Sequence, residues 1–163
     1  MIVDDNYLSA EGIEKNIDWE TLNAEIIHVC YNGTSAIEAM KKEPADLIIS
    51  DIEMPDLDGI SMSRQALEIN PMVKIILISA YDKFEYARRA LLLGALDYIE
   101  KPLDYAYLIQ KVKNAFALME KEQKNLQLLK QSRPLLTEKF FREITHLPSS
   151  EAAYRLKPYL KYL

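Results

Sequence analysis

The chain has 163 residues, of which 49% are hydrophobic, enough for one folded domain and an appendage. Its net charge of -5 gives no overall basic character, so direct binding to nucleic acid is not expected. The single cysteine, Cys30, excludes an intrachain disulfide. No apolar stretch reaches the roughly 20 residues of a membrane helix, and acids at positions 4 and 5 argue against a signal peptide. We therefore expect a cytoplasmic protein with no membrane contact.

Short apolar runs alternate with longer helix-like segments along the first part of the chain. The runs are rich in Ile, Val and Leu, as expected for strands buried on both faces of a parallel sheet. They cover residues 1–3, 26–30, 47–49, 73–78 and 96–99. Five strands alternating with five helices predict an open α/β sheet with helices on both faces. Because the first run is so short, we expect the natural chain to begin a few residues earlier.

Particular residues predict where these helices begin and end. Ser35 precedes Glu38 by three residues, which is the spacing of a capping box at the start of the second helix. Asp104 is placed to cap the fifth helix. Asn70, which stands before a proline, and Gly94 are expected to end the third and fourth helices.

The pattern changes beyond residue 104, where core positions recur at alternating steps of four and three. This heptad seam consists of Leu108, Val112, Ala115, Met119, Glu122, Leu126 and Leu129. Such spacing is typical of a coiled coil, with Glu122 as a polar interruption. Pro134 is expected to break the helix, and a second helix is expected over residues 135–147. We therefore divide the chain into a domain over residues 1–120 and a helical linker over residues 121–163.

Polar residues follow four of the predicted strands. Asp4 and Asp5 come after the first strand, Asp51 after the third, Ser79 after the fourth and Lys101 after the fifth. The carboxyl ends of parallel strands form the ligand-binding edge of an open sheet. We therefore expect these five side chains to converge at one edge.

The chemistry that suits this set is capture of a phosphoryl group. Clustered carboxylates repel one another and need a cation, and Mg²⁺ prefers oxygen ligands with several retained waters. The cation also screens an incoming phosphoryl group, so that a carboxylate can attack it and form an acyl phosphate. Lys101 would then supply a positive charge to the phosphoryl oxygens, and Ser79 a hydroxyl donor.

Four segments, spread over roughly residues 1–120, carry a specific resemblance to a known family. They are Val3-Asp4-Asp5, residues 48–55 with Asp58-Gly59, Ser79-Ala80, and residues 98–102. In this order they resemble the receiver domain of two-component response regulators. The resemblance implies a flavodoxin-like sheet of five parallel strands in the order 2-1-3-4-5, with five helices on its two faces and an α-helical extension after it.

The resemblance also implies a phosphoacceptor and a metal site. Asp51 is the expected acceptor of a phosphoryl group from a sensor histidine kinase. Mg²⁺ is expected to bind Asp4, Asp5, Asp51 and the backbone carbonyl of Glu53.

Three further residues receive roles from the same resemblance. Lys101 and Ser79 are expected to contact the phosphoryl group, and Ser79 and Tyr98 to switch conformation after transfer. The peptide bond between Lys101 and Pro102 is expected to be cis, which would direct the lysine into the site. The face formed by the fourth helix, fifth strand and fifth helix is expected to carry the output.

A second set of segments resembles the branch of response regulators that carry a C-terminal AraC-type helix-turn-helix domain. These segments are Ile17-Asp18-Trp19, Tyr31-Asn32-Gly33, residues 79–87 and residues 135–142. The branch implies a transcription regulator that contacts DNA only through an output domain missing from this chain. Either the helical extension or the output face would form a homodimer. Alternatively, the extension folds back onto its own domain.

Three other classes remain as alternatives. Phosphatases of the haloacid dehalogenase group also use an aspartate nucleophile, Mg²⁺ and a lysine, but place a second aspartate where this chain has Glu53. A nucleotide- or flavin-binding module needs a glycine-rich loop, and the four glycines form none. A degenerate receiver would act only as a protein-interaction module, although the acidic set is intact. We therefore expect a signalling domain and not an enzyme, one that gains and slowly loses its own phosphoryl group.

Overall fold

The computed structural model describes residues 1–80 and 84–144. The chain divides into two compact units, Met1–Ala117 and Leu118–Leu163, and the whole sheet lies in the first. The strands are β1 (Ile2–Val3), β2 (Val29–Cys30), β3 (Leu47–Asp51), β4 (Lys74–Ser79) and β5 (Asp97–Glu100). The helices are α1 (Tyr7–Asn16), α2 (Gly33–Lys42), α3 (Gly59–Ile69), α4 (Phe84–Leu93) and α5 (Tyr105–Ile144), with a short 3-10 helix at Glu20–Leu22.

The sheet has the order β2-β1-β3-β4-β5, and all its strand pairs are parallel. This confirms the predicted flavodoxin-like topology. The register places Ile2 opposite Ile49, Asp51 opposite Ile78, and Ser79 opposite Glu100. The carboxyl ends of β1, β3, β4 and β5 therefore lie side by side.

Two apolar layers cover the faces of the sheet, because successive strand residues point to opposite sides. In β4, Ile75 and Leu77 belong to one layer and Ile76 and Ile78 to the other. The first layer receives α2, α3 and α4, and the second receives α1 and the start of α5. Each apolar side chain buried in this way contributes about 1.5–3 kcal/mol of transfer free energy.

The predicted start of α2 was wrong by three residues. Asn32, and not Ser35, is the capping residue, because the Asn32 side chain accepts a hydrogen bond of 2.7 Å from the backbone N–H of Ser35. Asparagine is among the best capping residues, since its short side chain reaches the unpaired N–H groups of the first turn. Ser35 instead lies inside that turn, and its hydroxyl donates to the Asn32 carbonyl.

The other predicted helix ends are confirmed. The Asp104 carboxylate accepts hydrogen bonds from two N–H groups in the first turn of α5, at 2.8 and 3.2 Å. Asn70 directly follows the last residue of α3. Gly94 follows α4 with a φ of 83°, a left-handed conformation that glycine adopts without a steric cost.

The predicted break at Pro134 was also wrong, because α5 is one helix from Tyr105 to Ile144. A proline removes one N–H donor and crowds the carbonyl four residues earlier, but the helix-forming residues around it keep their own donors and the helix continues. The expected second helix is therefore the continuation of α5 as far as Ile144, and residues 145–147 lie outside the described residues. Within residues 1–80 and 84–144, no helix combines the length and the apolar content needed to cross a membrane.

Exposure changes along the heptad seam of α5. Leu108, Val112 and Ala115 are fully buried against the sheet, each with 0% of its surface exposed. Leu126 and Leu129 are 46% and 65% exposed. The early part of the seam therefore belongs to the core of the first unit.

Candidate functional site

Four of the predicted site residues meet at the carboxyl edge of the sheet. Asp4 directly follows β1 and Lys101 directly follows β5. Asp51 and Ser79 are the last residues of β3 and β4 and are still paired in the sheet, because β3 ends two residues later than predicted and β4 one residue later. The side chains of Asp4, Asp51 and Ser79 are all buried.

Lys101 joins the two buried carboxylates. Its Nζ lies 3.0 Å from Oδ2 of Asp4 and 2.6 Å from Oδ1 of Asp51. Asp4 is 1% exposed and Asp51 is 5% exposed, so both carboxylates have lost nearly all contact with water. An unpaired charge in such a place is costly, and the ammonium group compensates for both.

The electrostatics of this cluster reflect burial and pairing in opposition. Burial is the largest effect on the pKa of Asp51 and raises it, and the negative charge of Asp4 acts in the same direction. The hydrogen bond and charge of Lys101 and a hydrogen bond from the backbone N–H of Glu53 lower this pKa. Together, these effects leave the pKa of Asp51 raised. Burial lowers the pKa of Lys101, but its hydrogen bonds to Asp51 and Asp4, and their charges, outweigh that effect and raise it. Lys101 therefore remains a cation at neutral pH.

A glycine sets the shape of the loop between β3 and α3. A Cβ atom at Gly59 would lie 2.0 Å from the backbone oxygen of Asp51, so only glycine allows the chain to pass so close. Beside it, the Asp58 carboxylate caps α3 by accepting hydrogen bonds of 2.9 Å from two N–H groups of the first turn. These two residues fold the loop back over the end of β3, next to Asp51.

Asp5 and Glu53 lie beside this cluster but are less enclosed. Asp5 is exposed and Glu53 is half-buried. Both line a groove of about 430 Å³, together with Asp58, Tyr86, Arg89 and a short apolar stretch of the β3–α3 loop. The groove therefore lies beside the residues that directly follow the two buried carboxylates in the chain.

The donor chemistry of this edge suits Mg²⁺, since it offers carboxylate and carbonyl oxygens next to a groove open to water. Among the described residues, no group of three or more His, Cys, Asp or Glu side chains is preassembled around one metal position. Two carboxylates, Asp4 and Asp51, are already joined through Lys101. The exposed Asp5 side chain would have to turn toward them to complete the expected set.

A profile of the response regulator receiver domain family matches residues 1–113. The chain belongs to this family. Receivers are signalling domains and not enzymes that turn over a substrate. Since the match covers β1 to the first part of α5, it includes every predicted site residue.

A relative and two solved structures resemble this receiver. The uncharacterized transcriptional regulatory protein YesN of Bacillus subtilis (strain 168) is 28% identical over 122 residues, which cover 75% of this chain. Those residues make up 33% of YesN, so this chain spans about a third of that relative's length.

The two solved structures cover similar shares of the chain. The receiver domain of AraT, a response regulator from Geobacillus stearothermophilus, is 34% identical with a TM-score of 0.71, covering 75% of this chain and 95% of that one. A two-component transcriptional regulator AraC from Clostridium phytofermentans ISDg is 31% identical with a TM-score of 0.67, covering 76% and 95%.

The two proposed switch residues of this receiver lie on neighbouring strands. Ser79 is 0% exposed, and its backbone oxygen accepts a hydrogen bond of 2.7 Å from the N–H of Lys101. Tyr98, on β5, is half-buried against the layer that contains α2, α3 and α4. The Lys101-Pro102 peptide bond is cis, as predicted.

The sequence did not reveal a contact between α4 and the β3–α3 loop. The Tyr86 hydroxyl donates a hydrogen bond of 3.1 Å to Oε1 of Glu53, across a separation of 33 residues. Nothing in the spacing of the two residues indicated that they would meet. Only the placement of α4 against the sheet brings them together.

Proposed function

We propose that this receiver accepts a phosphoryl group on Asp51 from a phosphohistidine of a sensor histidine kinase. A carboxylate oxygen of Asp51 attacks the phosphorus, the bond between phosphorus and the imidazole nitrogen breaks, and the imidazole leaves with the bonding electron pair. The observation that carries this proposal is the Lys101 ammonium held between Asp4 and Asp51 at the sheet edge. After transfer, the same ammonium can pair with the phosphoryl oxygens.

We further propose that the transfer depends on Mg²⁺ held by Asp4, Asp5, Asp51 and the backbone carbonyl of Glu53. When bound, the ion neutralises negative charge on the carboxylates and on the incoming group. The burial of Asp4 and Asp51 and the open groove lined by Asp5 and Glu53 support this ligand set.

Labelling with acetyl phosphate in the presence of Mg²⁺ tests the assignment. Asp51→Asn should abolish labelling, because an amide is a far weaker nucleophile than a carboxylate. Asp46→Asn is a matched control, since Asp46 is exposed and precedes β3 at the opposite edge of the sheet. Labelling of Asp51→Asn at the rate of the unmodified protein would overturn the proposal.

Ser79 and Tyr98 are the proposed switch. The Ser79 hydroxyl would bond a phosphoryl oxygen, and Tyr98 would turn further into the layer that it already contacts. The burial of Ser79 at the end of β4, beside the strand that carries Asp51, supports this route. Ser79→Ala should accept the phosphoryl group without the change in the environment of Tyr98 that we expect in the unmodified protein.

The proposed output is regulation of transcription. In this proposal, residues 1–120 are the receiver and residues 121–163 are a helical linker to an AraC-type DNA-binding domain outside this chain, which alone contacts DNA. The similarity to the transcriptional regulatory protein YesN and to the AraC regulator of Clostridium phytofermentans supports it. An AraC-type helix-turn-helix in the residues that follow Leu163 in the intact gene product is the expected finding.

The proposed receiver acts as a homodimer, through one of two surfaces. The exposed Leu126 and Leu129 of α5 favour pairing with a second copy in a coiled coil. The face of α4, β5 and α5 is the other candidate, and its Lys111 Nζ pairs with Oδ2 of Asp97 at 2.6 Å. Light scattering over a range of concentrations distinguishes a dimer from a monomer. A protein that stays monomeric at high concentration would exclude dimerisation through either surface.

A further inference from the structure

We propose that Tyr86 is a positioning residue for the metal site, acting through Glu53. The Tyr86 hydroxyl holds the Glu53 side chain, and this hold keeps the Glu53 backbone carbonyl where it can bind Mg²⁺. The inference rests on the proposed function, because it takes that carbonyl as a ligand. It adds a residue of α4 that no sequence motif marks.

Glu53 is restrained from two directions. Its backbone N–H donates a hydrogen bond to the Asp51 carboxylate, and its own carboxylate accepts one of 3.1 Å from Tyr86. The first bond restrains the backbone of Glu53 directly, and the second holds the far end of its side chain, so the residue that bears the carbonyl is held at two points. A loop residue with only one of these bonds would keep more conformational freedom and would lose more entropy when it binds an ion.

Tyr86, the residue of α4 that binds Glu53, is itself held in place by packing. Tyr86 is half-buried, and its ring packs against the apolar layer formed by α2, α3 and the sheet. Packing sets the position of the ring, and the ring sets the position of the hydroxyl. The hydrogen bond to Tyr86 thereby connects the β3–α3 loop to the core, in addition to the bonds that the loop makes within its own turn.

The groove shows why such a restraint matters at this place. Asp5, Glu53 and Asp58 line it together with Arg89, so carboxylates and a guanidinium share one opening. A Glu53 side chain that exchanged partners among these groups would leave its loop less ordered. The Tyr86 hydroxyl, held in place by its packed ring, favours one orientation of the Glu53 carboxylate.

The test is a calorimetric titration of the protein with Mg²⁺, which needs no phosphoryl donor. Tyr86→Phe removes the hydroxyl and keeps the ring. We expect the dissociation constant for Mg²⁺ to rise about threefold to tenfold, the effect of losing one net hydrogen bond. Tyr7→Phe is the matched control, because Tyr7 is 58% exposed on α1. This variant should bind Mg²⁺ with the affinity of the unmodified protein.

A double-mutant cycle separates positioning from a general structural effect. If Tyr86 acts through Glu53, adding Tyr86→Phe to Glu53→Ala will produce no further loss of Mg²⁺ affinity. Additive losses would overturn the proposal, as would an unchanged affinity of Tyr86→Phe. Should Tyr86→Phe unfold, Glu53→Ala removes the same hydrogen bond from the side of the loop. An unchanged Mg²⁺ affinity of Glu53→Ala would then also overturn the proposal.

The two proposals fail in different ways. If the unmodified protein binds no Mg²⁺, or if Asp51→Asn is labelled normally, the proposed function fails. If the unmodified protein binds Mg²⁺ and Asp51 is labelled, but the Tyr86 and Glu53 variants bind the ion equally well, only the role of Tyr86 fails.

Discussion

The carboxyl edge of the sheet buries charge, whereas the later part of α5 exposes leucine. Asp4 and Asp51 are almost completely hidden from water, and Leu126 and Leu129 are each about half exposed or more. Both arrangements reverse the usual distribution, in which carboxylates lie outside and leucines inside. The buried carboxylates therefore need a compensating charge, and the exposed leucines are available to another apolar surface.

The two regions differ in how the unfavourable placement is compensated. At the sheet edge, the compensation is internal, because Lys101 contacts both carboxylates. On α5, covering the seam leucines requires another apolar surface, which a second copy of the helix would provide. Substitutions at the edge should therefore change the stability of one chain, and substitutions in the later seam should change association between chains.

The largest effect is expected where the seam is buried. Leu108→Ala should lower the free energy of unfolding by about 3 kcal/mol, because it leaves a cavity beside the sheet where Leu108 is now fully buried. Urea denaturation monitored by circular dichroism measures this loss. A loss below about 1 kcal/mol would mean that the early seam does not belong to the core.

A smaller loss is expected at the sheet edge. Lys101→Ala should lower the free energy of unfolding in EDTA by about 1–3 kcal/mol, because it leaves two buried carboxylates without their cation. This expected loss is smaller than the loss from breaking a fully buried ion pair, because the Lys101 side chain is 27% exposed and water screens part of its charge. Mg²⁺ should restore part of the stability, because it supplies the missing positive charge.

Lys15→Ala is the control for this measurement. Lys15 pairs with Glu11 on the surface of α1, and its loss should produce no measurable change. Equal stabilities of Lys101→Ala and the unmodified protein in EDTA would show that the ammonium does not compensate for the carboxylates.

A gain of stability is expected from Asp51→Asn in EDTA. Burial raises the pKa of Asp51 in the folded state above its usual 3.8. Between these two pKa values the folded state holds more protons than the unfolded state, so the stability contributed by this group falls as pH rises. The variant should therefore be more stable at pH 7, by roughly 1 kcal/mol, and the difference should shrink toward pH 4.

Urea denaturation at several pH values between 4 and 7 measures this difference. The comparison must be made without Mg²⁺, because a bound cation would favour the charged carboxylate. A difference that is constant over this range would show that the buried carboxylate is not its cause.

The smallest effect on folding is expected in the later seam. Leu126→Ala should change the free energy of unfolding by about 0.5 kcal/mol or less in dilute solution, because Leu126 is 46% exposed. The same change should weaken self-association measured by analytical ultracentrifugation. Unchanged association would rule out the coiled coil as the dimer interface. The face of α4, β5 and α5 would then be the remaining candidate.

The sequence predicted most of the sheet and most of the site, because both depend on local patterns. Runs of Ile, Val and Leu located all five strands, and polar residues at the strand ends located Asp4, Asp51 and Lys101. The bounds were less accurate. The second strand was predicted over residues 26–30, but only Val29–Cys30 pair in the sheet, because pairing depends on how far the short β1 extends beside it.

The remaining errors arose where a local pattern competed with its surroundings. The spacing of Ser35 and Glu38 suggested a cap, but Asn32 lies one turn earlier and caps more effectively. Pro134 suggested a helix end, although its neighbours continue the helix. The bond between Tyr86 and Glu53 could not be predicted, since it depends on where α4 packs and on no pattern along the chain.

The strand order also has a consequence for how the chain acquires its structure. β1 lies between β2 and β3, and its residue Ile2 pairs with Val29 on one side and Ile49 on the other. A nascent chain therefore carries its first strand without either neighbour until these later residues have emerged from the ribosome. Loop closure over such distances slows folding, so the centre of the sheet can form only after β3 has been synthesised.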